Sequence, residues 1–145
     1  MPRLVVSKAA SDPQNSVPQV FTTVTLTSVM LDTSSSWASP VWTVPETGTY
    51  EINGKLRLAD NTPAGINFGI GMGIGNVDDP GFYWDTTKGA TVGGAIGGGN
   101  VGRNMIFNSR ISQLTQGDLL RLYTYIDDPT TRIITGAELN AVRIA

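Results

Sequence analysis

Two runs of strict alternation constrain this chain more than any other feature. Between Thr49 and Leu58, the residues Tyr50, Ile52, Gly54, Leu56 and Leu58 fall on one side, and Thr49, Glu51, Asn53, Lys55 and Arg57 on the other. A period of two with one apolar face is the pattern of a half-buried strand. A one-residue slip would bury the charged set, so this register is strongly specified. Between Ile66 and Gly75, the residues Ile66, Phe68, Ile70, Met72 and Ile74 alternate with Asn67, Gly69, Gly71, Gly73 and Gly75. One face is wholly apolar and the other nearly bare. Glycine weakens a strand interior, so a bare face marks a close approach. What approaches is either a neighbouring chain or sheet, or a large aromatic ring lying across a flattened strand.

The rest of the chain reads the same way. Val20, Val24 and Leu26 share one face while Thr23, Thr25 and Thr27 line the other. Val41 to Val44 form a short strand stopped by Pro45, and Glu46-Thr47-Gly48 makes a turn. Residues 77–102 are long, polar and glycine-rich, and carry Phe82, Tyr83 and Trp84. Met105, Phe107 and Ile111 alternate as a further strand. After the turn Leu114 to Asp118, the strand Leu119 to Ile126 points Leu120, Leu122 and Ile126 to the core, and Arg121, Tyr123 and Tyr125 away from it. Ile133 to Ile144 supplies the last strands. No segment sustains a helical period over three turns. The expected fold is all-β, a sandwich of eight to ten short antiparallel strands.

Residues 1–19 lack a sustained period and are rich in Ser, Pro, Asn and Gln. They are expected to be an extended N-terminal arm, with the sandwich domain over 20–145. Such an arm either frays or lies on a partner, with Leu4, Val5 and Val6 as its apolar anchor.

Composition removes several functions. The 145 residues contain 10 Lys plus Arg and 12 Asp plus Glu, for a net charge of −2. A chain of this balance has no general attraction to phosphate backbones, so no nucleic-acid partner is expected. No apolar run approaches the ~20 residues of a spanning helix, and the apolar stretch at Leu4 is too short for the core of a signal peptide. The chain is therefore expected to be made in a cytoplasm, without a membrane partner. It has no cysteine and no histidine. Disulfides, thiolate nucleophiles, Cys/His zinc sites and histidine general bases are all excluded. Catalysis would have to rest on carboxylates, lysine or tyrosine, and the expectation is that the protein is not an enzyme and needs no cofactor.

Two motif matches fail on context. Gly97-Gly98-Gly99-Asn100-Val101-Gly102 has the dinucleotide-binding spacing, but the Arg103-Asn104-Met105-Ile106-Phe107 that follows is strand-like, where a helix must hold the pyrophosphate. A phosphate loop needs Lys-Ser/Thr where Arg103-Asn104 stands. The pairs Asp78-Asp79 and Asp127-Asp128 supply only part of a calcium cage and read as solvated turns. With Glu46, Glu51 and Glu138 they are the only carboxylates available to a glycosidase.

Three segments in order carry a family resemblance. Trp42-Thr43-Val44-Pro45-Glu46-Thr47-Gly48-Thr49-Tyr50 resembles the aromatic-x-V-P-x-x-G-x-Y segment of the complement C1q globular head. Leu114-Thr115-Gln116-Gly117-Asp118-Leu119-Leu120-Arg121-Leu122 resembles that family's L-x-x-G-D-x-V-x-L hairpin. Ile134-Thr135-Gly136 stands where C1q and tumour necrosis factor domains carry a closing F-x-G strand, with isoleucine replacing the phenylalanine. Together they span Val20 to Ile144. The resemblance implies a ten-stranded jelly roll that assembles as a homotrimer, of a kind also found in bacteriophage structural proteins. It further implies that the strand bearing Tyr123 and Tyr125 lies near the threefold axis. Those tyrosines, with the bare face at Gly69, Gly71 and Gly73, are the expected trimer interface.

Three functions from different classes follow. The first is a phage capsid decoration or cement protein, bound to the major capsid protein on the virion surface. The second is the receptor-binding head of a tail fibre, with Phe82, Tyr83 and Trp84 stacking on host glycan and Asp78, Asp79 and Asp85 as hydrogen-bond acceptors. The third is a small carboxylate enzyme. A fibre head usually needs a shaft or anchor, such as heptads or a collagen-like repeat, and none is seen, which favours the first over the second.

Overall fold

A computed structural model of the chain describes residues 1–9, 11–59, 62, 66–75, 90–95 and 105–145, with backbone only for 67, 74, 75 and 90–95. In chain order the strands are β1 (Arg3–Ser7), β2 (Gln14–Asn15), β3 (Thr22–Thr23), β4 (Ser28–Asp32), β5 (Trp37–Ala38), β6 (Val41–Thr43), β7 (Gly48–Leu58), β8 (Asn67–Gly75), β9 (Ala90–Ala95), β10 (Met105–Leu114), β11 (Leu119–Asp127) and β12 (Ile133–Arg143). No helix occurs among the described residues. Two six-stranded sheets face each other. The first runs β10-β7-β12-β1-β4, with β2 also on β12; the second runs β5-β6-β11-β8-β9, with β3 also on β11. β9 falls inside the glycine-rich stretch 77–102, where the sequence pattern marks no strand.

The two alternating runs become β7 and β8, one in each sheet, and their apolar faces meet. Tyr50, Ile52, Leu56 and Leu58 of β7 are fully buried, as are Ile70 and Met72 of β8, with Phe68 nearly so. Leu120, Leu122 and Ile126 of β11 and Ile134, Leu139 and Ala141 of β12 complete the middle of the core. Gly54 of β7 is needed there: a Cβ would stand 3.0 Å from both Leu122 Cδ1 and Met72 Sδ. At one end Trp42 and Tyr50 pack edge to face, with ring centroids 5.8 Å apart. The β10–β11 turn holds because Gly117 takes φ +90° and the Asp118 carboxylate accepts the Thr115 N–H at 2.8 Å.

The N-terminal segment corrects the sequence reading. Residues 1–19 are not a free arm. β1 sits within the first sheet, pairing with β12 from Arg3↔Val142 to Ser7↔Glu138 and with β4 on its other side. Leu4 and Val6 are fully buried in the chain's own core, so they cannot anchor on a capsid subunit; only Val5 faces outward. The reason is energetic: burying each of these aliphatic side chains is worth roughly 1.5–3 kcal/mol, which an unattached arm forfeits. The following residues are sewn down by side chains. Gln14 donates from Nε2 to the Thr23 carbonyl at 2.9 Å and accepts the Thr25 N–H at 2.9 Å. Lys8, itself buried, donates to Thr25 Oγ1 at 2.8 Å, and Ser16 N–H donates to the Arg132 carbonyl at 2.8 Å.

Candidate functional site: the outer faces of the two sheets

A sandwich whose core is closed offers its function at its outer faces, and these two faces differ. On the second sheet, β11 and β8 pair so that Tyr123 lies opposite Gly71, Tyr125 opposite Gly69 and Arg121 opposite Gly73. The missing side chains of β8 make a tray in which those of β11 lie. At Gly71 the fit is tight: an added Cβ would stand 2.8 Å from Tyr123 Cε1 and nearer still to Cζ and Oη. Phe21 closes over the tray, 5.6 Å from the Tyr123 ring and 5.1 Å from that of Tyr125. Tyr123 is left only 3% exposed and Arg121 6%.

The expected trimer interface at these residues therefore needs correction. At Gly71 the close approach is made by the chain's own tyrosine ring, not by a second backbone. Gly73 is buried and Gly69 half-buried, and Tyr123 has almost no surface left to offer a neighbour. Tyr125 keeps part of its surface open. Phe82, Tyr83 and Trp84 lie outside the described residues.

The first sheet's outer face is unlike this. β10 turns Met105, Phe107 and Ile111 outward, 43%, 61% and 63% exposed, and keeps Asn108, Arg110 and Ser112 on its inner side. The cross-strand registers lay out rows over the face. Phe107 stands beside Lys55, Lys55 beside Glu138, and Glu138 beside Ser7. In the next row Ser109, Asn53, Asn140 and Val5 follow one another, with Leu31 of β4 beyond. The centre of the face is thus polar. It forms a shallow concavity of about 520 Å3, lined by Asn53, Lys55, Phe107, Ser109, Glu138 and Asn140. Two apolar margins flank it: β10 on one side, and Val5 with the exposed Leu31 opposite it on β4 on the other. Nothing in the sequence period distinguished the two sides of β10, and this apolar margin went unassigned.

The acidic residues are held in local contacts. Glu138 pairs with Lys55 Nζ at 3.4 Å, Glu46 with Arg143 Nη1 at 2.5 Å, and Glu51 accepts from Asn53 Nδ2 at 3.3 Å. Asp127 accepts from Gln19 Nε2 at 3.2 Å, and the buried Asp128 pairs with Arg132 Nε at 2.5 Å. The Thr130 N–H, donated to Asp128 at 3.0 Å, holds that carboxyl below its ordinary value; burial opposes the shift, and the Arg132 guanidinium adds to it. Asp78, Asp79 and Asp85 lie outside the described residues. Among the described residues no group of three or more acidic side chains is placed to hold a metal ion.

Comparison with solved structures decides the fold. The globular domain of zebrafish complement 1qA protein aligns with a TM-score of 0.63 at 12% identity, over 100% of this chain and 98% of that one. The fold is a C1q/TNF-like jelly roll. Murine APRIL aligns with a TM-score of 0.61 at 13% identity, covering 98% of this chain and 99% of its own. Eiger TNF from S. frugiperda aligns with a TM-score of 0.57 at 15% identity, covering 100% and 94%. No protein-family model matches the sequence, and no curated protein matches it. The likeness is one of fold, at 12–15% identity.

Proposed function

We propose that this chain is a non-enzymatic structural protein that assembles as a homotrimer through the outer face of β10, β7 and β12, and that the trimer decorates the surface of a phage shell. The observation that carries the self-association is the joint exposure of Met105, Phe107 and Ile111 on one strand. Large apolar side chains gathered on a soluble domain mark a surface that another molecule covers. The C1q/TNF-like resemblance supplies the number three. The shell as partner is supported by the low charge, by the absence of cysteine and histidine, and by a composition rich in Gly, Thr, Ser and Asn, like that of phage structural proteins of this resemblance. With β1 built into the sheet, contact with the major capsid protein falls to exposed surface rather than to an arm.

The test has two steps. Phe107→Asp places a charge in the centre of the apolar margin, and light scattering should then read a folded monomer of 15.4 kDa where the parent chain reads a trimer. The parent trimer should co-sediment with undecorated capsids. A trimer that binds host cells and ignores capsids would move the protein from shell to fibre.

A further inference from the structure

We infer that the copies close head to tail, the β10 margin of one seated against the β1–β4 margin of the next, with Glu51 of each copy paired to Arg3 of its neighbour. The inference rests on the self-association proposed above and names the surface that meets Phe107. A ring of three is built from heterologous contacts, in which two different patches of the chain meet. A β10 margin that met only its own counterpart would close as a pair, so the second patch lies elsewhere. β10 and β4 are the outermost strands of the first sheet. Among the described residues, β4 is the other strand with three exposed large apolar side chains, Val29, Met30 and Leu31.

Charge decides the orientation. The registers place Ile111, Glu51, Val142 and Arg3 in one row across the outer face. Glu51 backs the β10 margin, and the exposed Arg3 stands at the opposite margin, two strands and roughly 10 Å away. No ion pair joins them within the chain. Glu51 accepts from Asn53 Nδ2, which fills one of the roughly four acceptor sites of a carboxylate. The row through Phe107 has the reverse arrangement. Lys55 stands beside Phe107, and the row ends at Ser28 of β4, next to which Asp12 accepts the Thr27 hydroxyl at 3.0 Å. The β10 margin is thus basic at Phe107 and acidic at Ile111, while the β1–β4 margin is acidic at Ser28 and basic at Arg3. A rotation about an axis along the strands keeps each row level. It brings Glu51 against Arg3 and Lys55 against Asp12 at every contact. Turning one copy end for end would set Glu51 against Asp12 and Lys55 against Arg3, and like charges so placed cost affinity. Lys55 already faces Glu138 at 3.4 Å, so Glu51 with Arg3 is the sharper of the two contacts.

The experiment is light scattering on a sizing column, with the full chain beside Arg3→Glu, Glu51→Arg and the double exchange. The parent should be a trimer. Each single reversal sets like charges together at every contact, and the concentration of half-assembly should rise about tenfold, with monomer of 15.4 kDa appearing in its place. The double exchange restores an opposite pair and should return the trimer at the parent's concentration. Added salt should narrow the gap between the parent and the single variants. A trimer indifferent to both reversals overturns the pairing and leaves the self-association standing; so does a double exchange that folds and stays monomeric. If a reversal loses the far-ultraviolet circular dichroism of the parent, Arg3→Gln and Glu51→Gln are read instead. The parent trimer should weaken as salt is added and these two should weaken less, and an equal salt dependence overturns the pairing. A dimeric or monomeric parent removes the trimer itself, and this inference with it.

Discussion

Replacing Gly71 with alanine probes the packing that closes the second sheet's outer face. The added methyl would stand 2.8 Å from Tyr123 Cε1 and closer to the rest of the phenol, so the ring must lift. Phe21 leans against that ring from the other side, at 5.6 Å between centroids, which limits where it can go. Overpacking of this kind costs about 1–3 kcal/mol. Disturbing the aromatic pair forfeits part of a further ~0.5–1.5 kcal/mol. Against these, alanine narrows the unfolded ensemble and returns about 0.4–1 kcal/mol. The net expectation is a loss of about 1.5–3 kcal/mol, or a fall in melting temperature of roughly 3–10 °C for a chain of this size. Scanning calorimetry at matched protein concentration reads it. In a Tyr123→Ala background the same substitution should cost nothing, which gives a coupling of about 2 kcal/mol in a double-mutant cycle. Gly136→Ala is the control: its Cβ would meet only Arg57 Cβ, at an ordinary 3.5 Å, and stability should hold or rise slightly. If Gly71→Ala is as stable as the parent, or if its effect is unchanged without Tyr123, the account of the glycine face is wrong.

Three further outcomes are expected. Leu4→Ala should cost about 2–5 kcal/mol, as for any fully buried leucine, and removal of residues 1–7 should abolish soluble folded protein, because β1 has a strand on each side; a stable truncated chain would restore the free arm. Asp128 has its folded pKa held below the ordinary 3.8, first by the Thr130 amide. The stability it contributes is therefore present above that value and lost as pH falls through the lower folded one. Urea midpoints measured from about pH 5 down to about pH 2.5 should fall less steeply in Asp128→Asn than in the parent, and identical slopes would contradict the assignment.

Much of the sandwich was readable from alternation. The inward sets Tyr50 to Leu58 and Phe68 to Met72 are the core of the folded chain, because a strand with one charged face has only one register to adopt. The pairing of β1 and the direction in which β10 faces were not readable, for different reasons. β1 alternates over only five residues, and what buries Leu4 is Ala141 and its neighbours, more than 130 positions away; no local pattern reports a partner that distant. β10 alternates clearly, but a period of two says only that two faces exist. Its apolar residues Phe107 and Ile111 turn out to face away from the core, and an outward apolar face gives no sequence signal distinct from an inward one. The glycine stripe was legible as a demand for close approach. What approaches was settled only by the register that sets Tyr123 against Gly71.

The most direct measurement is the mass of the intact chain by light scattering on a sizing column at low micromolar concentration. The account predicts a single species of three times 15.4 kDa, about 46 kDa. A monodisperse 15.4 kDa species would contradict it, and would leave Met105, Phe107 and Ile111 as apolar surface with no copy of the chain to cover it.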